Sequence, residues 1–145
     1  MKQFLLLTVL SFFTAAAAFS QQGDQILGQW LSEEKDGKIE VYKQGSKFFG
    51  KLVWADKMYE ADGKTSRKDV KNTDESQRSR PLKDLILLTN FVYDDGTYVD
   101  GKIYDPKSGK TYSCKMTLNG NMLNIRGYVG LPMFGRTSVW TRATK

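Results

Sequence analysis

The chain has 145 residues, 40% of them hydrophobic, and a formal charge of +6; that supports one domain with a single core and excludes two. It contains no histidine and one cysteine, Cys114. These counts exclude Ser-His-Asp and Cys-His nucleophile systems, most zinc sites and any intramolecular disulfide.

The first segment reads as a cleavable signal peptide over 1–20. Lys2 supplies a positive start, Phe4 to Ala18 is apolar apart from three hydroxyl residues, and Ala18-Phe19-Ser20 offers the small residues a signal peptidase reads. The apolar run is about 15 residues, short of the ~20 that span a bilayer. The expected mature domain is 21–145, secreted or periplasmic. Losing Lys2 from the 22 Lys and Arg, against 16 Asp and Glu, leaves about +5. That mild basicity favours anionic envelope partners such as lipid head groups and makes peripheral membrane contact an expectation; export argues against a nucleic-acid partner.

Period-2 alternation then recurs along the whole mature chain, with no convincing helical period. Leu27 to Leu31 is a short first strand. Lys38 to Tyr42 alternates cleanly and ends at the turn Gln44-Gly45-Ser46. Lys47 to Trp54 follows. Ala55 to Arg80 is one long charged connection, expected to form a flap with a helical turn near Asp74 to Arg78; loops over ~15 residues in compact domains are usually functional or disordered. Leu85 to Tyr93 is strongly apolar. Asp94-Asp95-Gly96 turns the chain into Thr97 to Tyr104, and Asp105-Pro106-Lys107-Ser108-Gly109 turns it again. Thr111 to Leu118 places Tyr112, Cys114, Met116 and Leu118 on one face, which makes Cys114 a core thiol. Asn119-Gly120 is the strongest hairpin signal. Met122 to Val129 returns, Gly130-Leu131-Pro132 interrupts, and Thr137 to Arg142 is last. About eight short antiparallel strands joined by tight turns predict an all-β meander barrel, because closure removes the edges that an open sheet would expose.

Four residues stand out as ligand-binding candidates. Arg126 and Tyr128 lie at i and i+2, so they share a strand face; if that face is the interior, they would hold a carboxylate. The alternative is an outer polar face of Asn124, Arg126 and Tyr128 over a core of Leu123, Ile125 and Val129. Arg78 and Arg80, before Pro81, would clamp an anion or brace the flap against Asp74, Glu75 or Asp84. Glu33, Glu34, Glu40, Asp100 and Asp105 are the carboxylates available for glycoside hydrolysis. They fall mostly at strand ends and turns, so no catalytic residue, metal or cofactor is assigned. In a closed meander Trp30 and Arg142 sit on neighbouring strands, with Arg142 over the indole as a structural plug.

Gly28-x-Trp30 with a late Arg resembles the sparse signature of lipocalin-like barrels. With Arg78-Ser79-Arg80-Pro81, Gly101-x-Ile103-Tyr104-Asp105-Pro106, Gly109-Lys110-x-Tyr112, Arg126-Gly127-Tyr128-x-Gly130, Phe134-Gly135-Arg136 and Trp140-x-Arg142, the chain resembles the secreted bacterial family catalogued as domain of unknown function 2147. The resemblance runs from Ile26 to Arg142 and implies a signal peptide and a small β-barrel; it implies no activity. That family often carries a cysteine at the position of Phe49, which is absent here. Two functions follow as expectations. One is a non-catalytic envelope barrel holding a small amphipathic or anionic ligand, lipid or fatty-acid-like. The other is a solid barrel that works as an interaction or envelope-polymer-binding module. Large residues such as Trp54, Phe91, Tyr98, Tyr104, Met116, Phe134 and Trp140 bear on which holds, because they fill the barrel if they point inward.

Overall fold

The computed structural model describes residues 22–144. The signal-peptide reading of 1–20 lies outside the described residues. Eight strands follow in chain order: β1 (Gly28–Leu31), β2 (Gly37–Gln44), β3 (Lys47–Ala55), β4 (Ile86–Asp94), β5 (Thr97–Asp105), β6 (Lys110–Asn119), β7 (Met122–Tyr128) and β8 (Arg136–Arg142). Each pairs antiparallel with its neighbour, and β1 pairs with β8, so the sheet is a closed barrel.

Alternation sorts the residues as a two-faced sheet requires. Ile39 and Val41 of β2, Cys114 and Met116 of β6, and Leu123 and Ile125 of β7 all point inward and are buried. Phe91 lies directly across Gly101: a Cβ at that glycine would come within 2.4 Å of the Phe91 ring. Phe48 meets Tyr98 edge-on at 5.3 Å, and Trp30 and Leu123 are fully buried. These side chains belong to one continuous core that runs from Ile26 and Trp30 to Leu52, Met58 and Leu85 at the flap end.

The two ends differ. The closed end carries the tight turns after β2, β4 and β6 and the N-terminal segment 22–27. Tyr98 Oη donates to Gly23 O at 2.6 Å, and Trp30 Nε1 donates to Ile26 O at 2.9 Å. The Arg142 guanidinium lies 4.2 Å from the Trp30 ring centre and donates to Leu27 O and Gln25 O. The expected cation–π plug is thus present, and it also ties the N-terminal segment down. The flap end carries the loops 32–36, 56–85, 106–109 and 129–135. The long flap has one 3-10 turn, Glu75–Gln77, inside the span expected to be helical.

Candidate functional site

Three clefts of about 510, 670 and 550 Å³ flank the N-terminal segment at the closed end. Their cations are committed to holding that segment: Arg142 by the bonds above, and Lys43 by an ion pair with Asp24 at 2.8 Å. A better candidate lies at the other end, and the strand register defines it.

Residues directly opposite each other on neighbouring strands share a face. Tyr98, Met116, Ile125 and Ser138 form one inward row; Gly101, Cys114, Gly127 and Arg136 form the next. Ile103 and Tyr112 lie one row nearer the flap end. In the first row the first three residues are buried and Ser138 is half-buried. In the second, Gly101 and Cys114 are buried, Gly127 is half-buried and Arg136 is exposed. Ile103 and Tyr112 are half-buried. Exposure thus rises along these inward rows toward β8 and toward the flap end.

The cause is a short seam. β1 meets β8 at only two pairs, Trp30↔Arg142 and Leu31↔Thr141. Beyond Leu31 the chain turns away through Ser32 to Asp36, where Ser32 Oγ donates to Asp36 Oδ1 at 2.7 Å and accepts from the backbone N–H groups of Asp36 and Gly37. The inward residues Ser138 and Arg136 of β8 therefore lie beyond the part of the seam that β1 pairs. Among the described residues, the side chains of Tyr112, Ser138 and Arg136 take part in no hydrogen bond or ion pair. This flap-end mouth of the barrel carries the exposed Arg136 and the half-buried hydroxyl side chains of Ser138 and Tyr112, with Ile103 opposite Tyr112. No group of three or more His, Cys, Asp or Glu side chains among the described residues is placed to hold a metal.

The candidates expected from sequence stand elsewhere. Leu123 and Ile125 point inward, so Arg126 and Tyr128 lie on the outer face, and the interior carboxylate partner expected of them is corrected. Arg126 donates to Pro132 O at 2.7 Å, to Thr137 Oγ1 at 2.8 Å and to Met133 O at 3.4 Å, so it braces the 129–135 loop. Val129 is not core either, because the chain leaves the sheet after Tyr128 and exposes it.

Arg78 and Arg80 are also structural. Arg80 Nε donates to Asp69 Oδ2 at 2.9 Å, with its guanidinium 5.2 Å from the Tyr104 ring centre. Tyr104 Oη and Asn72 Nδ2 donate to the same buried carboxylate at 2.6 and 2.9 Å. Burial pushes the Asp69 carboxyl up, but the bonds from Asn72, Tyr104 and Arg80 and the Arg80 charge outweigh it, and it sits below its ordinary value. Burial and the Asp69 carboxylate raise the Tyr104 phenol to about 12. Arg78 Nε donates to Asn72 O at 2.8 Å and meets Glu75 at 3.5 Å. The expected anion clamp is a clasp that fastens the flap, and its acid is Asp69, not the nearer Asp74 or Asp84. Cys114 is the core thiol expected, with burial raising it to about 12. Of the carboxylates considered, Glu34 pairs with Lys107 and Asp105 accepts from its own turn.

Sequence reasoning missed Arg136. The signal was present: Trp140, Ser138 and Arg136 are spaced by two. A reading that started from Trp140 as an inward residue reaches Arg136 directly.

A family model described as an uncharacterized protein conserved in bacteria, DUF2147, matches residues 28–142. The chain belongs to this family. The resemblance read from the motifs is thereby correct, and the match spans all eight strands of this DUF2147 barrel. No curated protein matches the sequence. Among solved structures the barrel is similar to protein HP1028 from Helicobacter pylori, which belongs to the lipocalin family. The TM-score is 0.72 with 24% sequence identity, over 83% of this chain and 84% of that one. The likeness shows that the DUF2147 fold here is the lipocalin-like barrel expected from Gly28-x-Trp30 and Arg142.

Proposed function

We propose that the protein is a non-catalytic binding barrel of the cell envelope that takes a small amphipathic ligand with an anionic head. The observation that carries this is the flap-end mouth: an unpaired Arg136, with Ser138 and Tyr112, on an inner face that is otherwise apolar. A guanidinium and hydroxyls there would receive a carboxylate or phosphate by charge-assisted hydrogen bonds. The half-buried Ile103, opposite Tyr112, would meet the apolar part. The likeness to a lipocalin-family barrel supports small-ligand binding at the level of fold.

The filled interior limits the ligand. Phe91, Tyr98, Met116 and Leu123 occupy the space a long acyl chain would need, so the proposed ligand is short or lies across the mouth. The same filling favours a second reading, a solid barrel that acts only through its surface. Native mass spectrometry of the mature protein from its own envelope separates the two: a co-purifying small anion supports the first. Titration with anilinonaphthalene sulfonate, an aromatic anion, gives a direct probe. Arg136→Gln is expected to weaken it about tenfold or more. No saturable binding of the probe or of short fatty acids, with a clean apo mass, would leave the solid-barrel reading.

A further inference from the structure

The loop between β7 and β8 has no part in that mouth and carries its own signal. Among the described residues eight large hydrophobic side chains are exposed, and four of them fall within six residues: Val129, Leu131, Met133 and Phe134, at 74, 57, 72 and 75% exposure. The loop is also held in shape. Arg126 donates to Pro132 O, Met133 O and Thr137 Oγ1, and Pro132–Phe134 form a 3-10 turn. An apolar loop left to itself folds its side chains inward; this one is braced with them outward.

Charge is the second, independent observation. After Asp105 the sequence contains no Asp or Glu, while it contains Lys107, Lys110, Lys115, Arg126, Arg136, Arg142 and Lys145. Of the six at 107–142 only Lys107 has an acidic partner among the described residues. Lys115 and Arg126 are directly opposite on β6 and β7 and share the outer face, at the base of the apolar loop. The apolar tip therefore stands on two cations, Lys115 and Arg126, that have no acidic partner among the described residues.

We infer that this loop is a membrane-docking tip that inserts Leu131, Met133 and Phe134 into the interface of an anionic lipid surface. A protein partner would need roughly 800 Å² from each side for a stable interface, more than a convex six-residue tip offers. A bilayer interface accepts an apolar tip to a depth of about 5–10 Å, and cations at the base then meet the head groups. Phe134 and Met133 are the most exposed of the three and enter deepest.

The test is co-sedimentation of the mature protein with vesicles of phosphatidylcholine alone, and of phosphatidylcholine with phosphatidylglycerol. The wild type is expected to pellet with the anionic vesicles and to be released by high salt. The triple variant Leu131→Ser, Met133→Ser, Phe134→Ser is expected to lose roughly tenfold or more of its partitioning, because the inserted area is gone. Its thermal midpoint and its affinity for a short fatty acid in solution stay unchanged, which separates this inference from the mouth proposal. In Phe134→Trp the tryptophan emission is expected to shift to the blue with anionic vesicles. Failure of the wild type to pellet with anionic vesicles at low salt would overturn the inference. So would equal pelleting of the triple variant, or an unshifted Phe134→Trp emission on bound vesicles.

Discussion

The closed end and the flap end of this barrel are built from the same alternating strands, yet they do opposite things with their cations. At the closed end Arg142 lies flat on Trp30, and its guanidinium is used up by the carbonyls of Leu27 and Gln25. At the flap end the side chain of Arg136, six residues earlier on the same strand and the same face, makes no hydrogen bond or ion pair among the described residues. The difference is the length of β1. Two residue pairs seal the strand where Arg142 lies, and none reach Arg136. A short first strand thus leaves one inward arginine of β8 tied down and the other without a partner among the described residues.

The largest effect should come from removing the plug. Trp30→Ala deletes a fully buried indole and the surface on which Arg142 rests, and should cost about 3–5 kcal/mol. Chemical denaturation measures it. A loss under ~1 kcal/mol would mean that the closed end is no tighter than the open one.

The flap is the next region to break. Gly109 has φ +75°, and a Cβ there would come within 1.8 Å of Lys71 O, so the turn after β5 and the flap backbone pack without room for a side chain. Gly109→Ala should cost ~1–3 kcal/mol through overpacking and strain. Limited proteolysis should then cut within 56–85 faster than in the wild type. Unchanged cleavage would show that the flap does not depend on this contact.

Acid should loosen the same flap. A carboxyl whose folded pKa is depressed contributes stability that is present above its unfolded value and lost as pH falls through the folded one. Asp69 sits below the ordinary 3.8, so its contribution is complete above about pH 4 and disappears below it. Thermal midpoints recorded from neutral to strongly acidic pH should fall less steeply in Asp69→Asn than in the wild type, from a lower neutral value. Parallel curves would remove Asp69 from the clasp.

The smallest stability effect should be at the open mouth. Arg136→Gln touches nothing in the fold and should shift stability by under ~0.5 kcal/mol while weakening the anionic probe. Arg126→Leu should do the reverse: it releases the 129–135 loop and leaves the probe affinity unchanged. Equal effects of the two on the probe would erase the distinction between inner and outer face.

Much of this was legible in the residues. Thr111 to Leu118, Asn119-Gly120 and Met122 to Tyr128 state a hairpin through alternation and turn chemistry, and local rules suffice for that because the relevant groups lie within a few residues. The plug was legible too, since closing a meander brings first and last strands together. The long charged stretch announced a flap. The clasp was not legible: Asp69 takes its donors from Tyr104 and Arg80, 35 and 11 residues away.

The site residues mark the boundary between the two kinds of information. A period of two sorts Arg126 with Tyr128, and Arg136 with Ser138 and Trp140, from sequence alone. It carries no sign, because either set satisfies the same alternation. The closed sheet supplies the sign: Leu123 and Ile125 must fill the space against Met116 and Trp140, which turns Arg126 outward and, through the β7–β8 register, turns Arg136 inward. Whether that inward arginine meets water or carbon was decided by where β1 stops. That is a property of the seam between strands more than 100 residues apart, and no local pattern encodes it.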